Sequence, residues 1–185
     1  MRVGKFEEIE PLYREQAEVL APHVDLLLCE TMSSVDEGRA AAAAATRTGK
    51  PVWVCWTLHE DRSGRLRSGE DVDEAAKALS DLPVSGALAN CCAPESITNA
   101  MPQLAQTGLK YFGGYANTFQ PIPEDWDLEG DRETDGFLDL RKDLDPESYA
   151  AHAGDWLKAG ATVVGGCCGT RPAHIAKIKE LIERK

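Results

Sequence analysis

Ala161-Thr162-Val163-Val164-Gly165-Gly166-Cys167-Cys168-Gly169-Thr170 reads as a short apolar strand that runs into two adjacent cysteines set among glycines. Successive side chains of an extended strand point to opposite faces. Both thiols can therefore reach one point only if the strand ends there and the chain turns, and Gly165, Gly166 and Gly169 supply the backbone freedom for it. The pattern recurs upstream, where the strand-like stretch 84–90 ends on Asn90-Cys91-Cys92. Three thiolates around one ion leave tetrahedral Zn2+ an open position, the arrangement of a catalytic rather than a structural site. Soft sulfur ligands favour zinc over magnesium or calcium. Three other readings stand beside this one: Cys167 and Cys168 as small buried hydrophobes, as a vicinal disulfide, or as part of a closed structural site.

Strand-like and helix-like stretches alternate on either side. Residues 7–21 place Ile9, Leu12, Tyr13, Ala17 and Leu20 at helical spacing. Residues 24–29 form an apolar run broken only by Asp25 and followed by Glu30-Thr31. Ser34 and Glu37 fit a capping box and Gly49 a helix stop, so the alanines at 40–45 lie within a packed helix. Residues 51–58 predict a strand, 70–80 a helix, and Pro94 to Gly108 bracket another helix. Residues 110–115 and 161–166 predict two more strands, with helices from Asp145-Pro146 to Gly160 and over 172–183. The acidic stretch 117–144 has prolines, glycines and no period, and reads as a long surface loop.

Apolar strands separated by helices indicate a parallel sheet covered by helices. Glu30, His59, Cys91, Tyr115 and Cys167 all fall at or just beyond the C-terminal ends of their strands, the active-site rim of a β/α barrel. The expected fold is α/β, a partial (β/α)8 TIM-type barrel of about five parallel strands, built as one domain over 1–185.

The 185 residues are 43% hydrophobic, enough for one sizeable core. A net charge of −11 opposes binding to nucleic acid. No apolar run reaches the length of a membrane span, and Met1-Arg2-Val3-Gly4-Lys5-Phe6-Glu7 lacks the apolar stretch of a signal peptide. Six cysteines in that context predict reduced thiols in the cytoplasm.

Asp25-Leu26-Leu27-Leu28-Cys29-Glu30-Thr31-Met32, Asn90-Cys91, Tyr115-Ala116-Asn117 and Gly165-Gly166-Cys167-Cys168-Gly169 occur in that order. Ala150-x-x-Ala153-x-x-Trp156 and Pro172-x-His174-Ile175 follow the same plan. Together they resemble the homocysteine S-methyltransferase family, which includes betaine–homocysteine methyltransferase and the homocysteine-binding module of cobalamin-dependent methionine synthase. The resemblance implies Cys91, Cys167 and Cys168 as zinc ligands. Glu30 would hold the homocysteine ammonium, Thr31 would belong to the substrate-binding set, Asn90 would shape the pocket, and Tyr115 matches an aromatic position at the site. It implies methyl transfer to homocysteine, giving methionine, from betaine, S-methylmethionine, S-adenosylmethionine or a methyl-corrinoid.

A free thiol is mostly protonated at neutral pH, and thiolate is the nucleophile. Three cysteine thiolates over-neutralise the ion, so a fourth sulfur would stay electron-rich and suited to alkyl transfer rather than water activation. Phe119, Trp126 and Phe137, with Tyr115, could cage a methylated onium cation or simply pin the loop. Cys29 and Cys55 read as buried, inert thiols, and His23, His152 and His174 have no ligand-like spacing. Three features depart from the family. Ala116 stands where proline is common, Cys92 is an extra thiol, and the resemblance begins after the family's third strand, without its Asp-Gly segment. Completion of the barrel by a preceding segment or a second chain is therefore expected. Two alternatives remain at this point: a non-catalytic zinc- or thiol-binding truncated barrel, and a vicinal-cysteine redox protein.

Overall fold

The computed structural model describes residues 4–121 and 139–184. Five strands, β1 (Leu27–Met32), β2 (Val52–Trp56), β3 (Gly86–Asn90), β4 (Tyr111–Ala116) and β5 (Val163–Gly166), form one parallel sheet in sequential order. The helices are α1 (Phe6–Leu20), α2 (Val35–Thr46), α3 (Val72–Lys77), α4 (Pro94–Gln106), α5 (Pro146–Lys158) and α6 (Pro172–Glu183). A parallel sheet that advances one strand at a time through right-handed crossovers carries its helices on one face. The α/β class and the five parallel strands agree with the sequence reading.

Local chemistry explains most boundaries. Pro94, Pro146 and Pro172 open their helices, where a missing N–H costs nothing. Asp145 caps α5 by accepting the Ser148 N–H at 2.8 Å. Two expectations shift. β1 starts at Leu27 rather than 24, because the chain leaves a 3-10 turn at Ala21–His23 and first pairs with β2 at Leu27, and the strand then takes in Glu30 and Thr31. The capping box of α2 forms by half. Ser34 Oγ accepts the Glu37 N–H at 3.1 Å, but the Glu37 carboxylate turns to Ser33, which offers N–H and hydroxyl donors at 2.7 and 2.6 Å. The same carboxylate accepts the Tyr13 hydroxyl at 3.0 Å, tying α1 to α2.

Side chains of β2 and β3 sort by face. Val52, Val54, Trp56, Ala87 and Ala89 join the helix-side core with Ile97, Leu104 and Trp156. Each fully buried aliphatic side chain contributes about 1.5–3 kcal/mol. The alanines of α2 let that helix lie close, and a Cβ at Gly38 would sit 2.6 Å from the Trp56 indole nitrogen. On the opposite face Trp53 covers Gly86 and stacks on Tyr111, with ring centroids 4.7 Å apart. Leu28 on this face is 40% exposed. Among the described residues β1 and β5 each pair on one side only. No described helix is long and apolar enough to cross a membrane.

Candidate functional site

The C-terminal ends of β3, β4 and β5 are joined by backbone hydrogen bonds that centre on four consecutive residues, Tyr115 to Thr118. The Cys91 N–H donates to the Tyr115 carbonyl at 3.2 Å and the Cys167 N–H to the Ala116 carbonyl at 2.8 Å. In return the Asn117 N–H donates to the Cys92 carbonyl at 3.1 Å and the Thr118 N–H to the Cys168 carbonyl at 3.0 Å. The end of β4 thus acts as a template from which both cysteine segments hang.

Each segment then turns sharply. Cys91 adopts φ +52°, uncommon for a residue with a Cβ, and its carbonyl accepts the Thr57 hydroxyl at 3.2 Å. After β5 the chain bends through Gly169 at φ +77°, where a Cβ would strike the Thr118 hydroxyl. The Thr170 hydroxyl closes this turn on the Cys167 carbonyl at 2.6 Å.

These turns bring three sulfurs together. Cys91 Sγ lies 3.9 Å from Cys168 Sγ, and Cys167 Sγ lies 3.8 Å from Cys168 Sγ. All three fall within 4.8 Å of one another and could hold a metal ion. Sulfurs at about 2.3 Å from a tetrahedral zinc stand about 3.8 Å apart, so the spacing fits such an ion. The hydrogen bond from Cys91, foremost, lowers the Cys167 pKa to about 6. The same contact with Cys167 drives Cys91 upward, and burial followed by the charge of Cys167 raises Cys168. Once one sulfur ionises its neighbours resist, which is the electrostatic demand a cation would meet. Cys92 is fully buried in the helix-side core, outside this cluster, and burial pushes its thiol up to about 12. Burial also raises Cys29 to about 12, and Cys55 is raised for the same reason.

Glu30, near the end of β1, and Tyr115, near the end of β4, meet across the intervening strands close to the sulfurs. The Tyr115 hydroxyl donates to Glu30 Oε1 at 2.7 Å, and the Glu30 charge opposes ionisation of Cys167. Burial, more than the neighbouring groups, raises the Tyr115 pKa and keeps the phenol neutral. Thr31 and Asn90 form a reciprocal clasp: Asn90 Oδ1 accepts the Thr31 N–H at 3.0 Å, and Asn90 Nδ2 donates to Thr31 Oγ1 at 3.0 Å. The clasp holds Thr31 at φ +64°. A groove of about 400 Å3 runs along β1, lined by Leu20, Leu28, Glu30 and Thr31 among others but by none of the three clustered cysteines.

His59 stays apart from the cluster, its Nδ1 accepting the Asp61 N–H at 3.2 Å. Phe119 is half-buried and bridges to Leu140, while Trp126 and Phe137 lie outside the described residues. Sequence reasoning missed Thr57, Tyr149 and the Arg141 fork. Arg141 is buried and grips Glu95 through two bonds of 2.8 and 2.6 Å. Tyr149 shares a helical face with Ala153 and Trp156, which signals burial but not what its hydroxyl meets.

The family model described as homocysteine S-methyltransferase matches residues 3–182. Homocysteine S-methyltransferase 4 of Zea mays is 27% identical over 95% of this chain and 50% of its own length. Homocysteine S-methyltransferase of Escherichia coli K12 is 28% identical over 94% of this chain and 53% of its own length. The chain thus spans about half the length of the curated relatives it matches. Among solved structures, the apo form of the E. coli homocysteine methyltransferase MmuM superimposes with a TM-score of 0.73, at 26% identity over 97% of this chain and 59% of that one. The metallated form gives 0.70 at 25% identity, again over 97% of this chain and 53% of its own.

Proposed function

The chain belongs to the homocysteine S-methyltransferase family, and on that premise we propose that its rim binds zinc and homocysteine for methyl transfer to the homocysteine sulfur, giving methionine. The observation that carries this reading is the set of three sulfurs within 4.8 Å, spaced as a tetrahedral ion needs. Zinc held by Cys91, Cys167 and Cys168 would supply deprotonation of a fourth, substrate sulfur at neutral pH while leaving it electron-rich.

The chain's other residues orient that substrate. Glu30 receives the ammonium group of homocysteine, and the Tyr115 hydroxyl fixes the carboxylate that does so. The Asn90–Thr31 clasp sets the height of Glu30 above the cysteines. The sulfur then attacks a methyl group at close range. The new S–CH3 bond forms as the donor's bond to carbon breaks, its electron pair leaving with the donor. The donor is a methylated onium compound (betaine, S-methylmethionine or S-adenosylmethionine) or a methyl-corrinoid. Six free thiols fit a reducing compartment, and the cytoplasm is the setting we assign.

A second reading is favoured by the one-sided pairing of β1 and β5 and by the half-length match to relatives. In it this chain binds metal and thiol, and catalysis requires more of the barrel. Zinc analysis, homocysteine titration with proton release, and X-ray absorption test the first reading. One zinc per chain, gaining a fourth sulfur on homocysteine addition, supports it; zinc without substrate-sulfur ligation removes it. Methyl transfer assayed with each donor separates the two readings. A redox pair would carry no stoichiometric zinc.

A further inference from the structure

We propose that Tyr149 is a positioning residue for the three-sulfur centre, its buried hydroxyl fixing the peptide from which the cysteine segments hang. The inference rests on the zinc reading above. Tyr149 projects from α5 and is fully buried. Its hydroxyl accepts the Ala116 N–H at 2.9 Å and lies 3.0 Å from the Ala116 carbonyl and 2.9 Å from that of Gly165. It carries one proton, which goes to one of these two oxygens. A single phenol thus bridges the ends of β4 and β5 directly beneath the Cys167 N–H bond to the Ala116 carbonyl.

The phenol is itself held still. Trp156 meets its ring edge-on at 6.4 Å and 85°, and His174 does so at 5.6 Å and 86°. His174 is fixed at both nitrogens, Nδ1 accepting the Arg171 N–H at 3.1 Å and Nε2 facing the Leu144 carbonyl at 3.2 Å. Burial raises the Tyr149 pKa, so the group stays a neutral phenol with no role in proton transfer.

Ala116 gives the arrangement its particular character. Proline at this place would have no N–H to offer. The bond from the Ala116 N–H to the hydroxyl is therefore available because this chain has alanine there. Without it the Tyr115–Thr118 template would be free to tilt, and Cys167 and Cys168 would move relative to Cys91.

The test compares wild type, Tyr149→Phe and Leu104→Val, the last a buried change in α4 far from the rim. Zinc affinity is measured by competition with a chromophoric chelator, and ligand geometry by the absorption spectrum of the Co2+ form. Tyr149→Phe should bind zinc about 10- to 100-fold more weakly, the range for residues that orient metal ligands. Its cobalt bands should shift, while Leu104→Val keeps the wild-type affinity and spectrum despite reduced thermal stability. Unchanged zinc affinity and an unchanged cobalt spectrum in Tyr149→Phe overturn the inference. If circular dichroism shows that Tyr149→Phe does not fold, Ala116→Pro carries the test by deleting the N–H partner. Weaker zinc binding there supports the inference, and unchanged binding overturns it. A wild-type chain that binds no zinc overturns the zinc reading and this inference with it, whereas a zinc-binding wild type matched by both variants overturns this inference alone.

Discussion

Asn90→Ala separates the placement of the substrate from the placement of the metal. Asn90 is 1% exposed and makes two hydrogen bonds of 3.0 Å to Thr31. They hold Thr31 at φ +64°, a conformation costing about 1–3 kcal/mol for a β-branched residue. The two bonds contribute about 1–3 kcal/mol together. Alanine removes them, but Thr31 then relaxes to extended backbone and sheds most of the strain. The net loss of stability should be only about 1 kcal/mol. Homocysteine should suffer more, because relaxation at Thr31 swings Glu30 away from Tyr115. Losing one charged hydrogen bond costs about 1.5–3 kcal/mol, or about 10- to 100-fold in affinity. Urea unfolding measures the first quantity, and calorimetric titration of homocysteine into the zinc-loaded protein the second. Zinc affinity should hold, since the Cys91 backbone hangs from Tyr115. Adding Thr31→Gly should restore part of the homocysteine affinity, because glycine occupies positive φ without strain. Unchanged homocysteine binding in Asn90→Ala, or no recovery in the double variant, would refute the reasoning.

Serine at Cys91, Cys167 or Cys168 should each abolish stoichiometric zinc, whereas Cys92→Ala should keep it and lose about 1 kcal/mol of stability; zinc retained by Cys168→Ser, in metal analysis after gel filtration, would contradict the cluster. Zinc affinity should weaken as pH falls, because the thiols must be deprotonated. With Cys167 near 6 and the other two raised, about two protons should leave per zinc at neutral pH and affinity should drop about 100-fold per unit. Calorimetry in buffers of different ionisation enthalpy counts those protons, and a count of zero would refute the pattern. Arg141→Met should destabilise the fold by about 2 kcal/mol, below the usual cost of breaking a buried pair because Glu95 and Asp143 are partly exposed. Burial opposes ionisation of Glu95, but the Arg141 bonds prevail and hold its pKa below the usual range. That contribution is present above the ordinary carboxylate pKa and is lost as pH falls through the lowered one. Acid unfolding curves should therefore differ between wild type and Arg141→Met, and coincident curves would refute this account.

The sheet was legible because each strand is a short apolar run closed by a turn signal, and because the reactive residues cluster where those runs end. That one regularity pointed to a parallel sheet and to one rim shared by Glu30, His59, Cys91, Tyr115 and Cys167, of which His59 stays apart from the sulfur cluster. Cys92 could not be separated from Cys91 by pattern alone; the positive φ at Cys91, which turns one thiol out and leaves the other in the core, is set by tertiary hydrogen bonds. Tyr149 was hidden for the same reason. Helical spacing says that a tyrosine is buried, but only the fold shows its hydroxyl lying across two strand ends. The start of β1 falls later than the pattern predicts because Val24 and Leu26 are apolar like the strand, yet pairing with β2 begins only at Leu27.

Cys91 and Cys168 lie 77 positions apart, so the cluster has no counterpart in a partly finished chain. During synthesis the first thiol would leave the ribosome well before the second pair was translated. Any ion captured then would meet a lone sulfur with no template beside it. Zinc would therefore reward only the completed packing of β3, β4 and β5, adding about 4 kcal/mol at a free concentration a thousand times its Kd. Starving a producing cell of zinc should accordingly lower the yield of the finished protein while leaving its translation rate untouched.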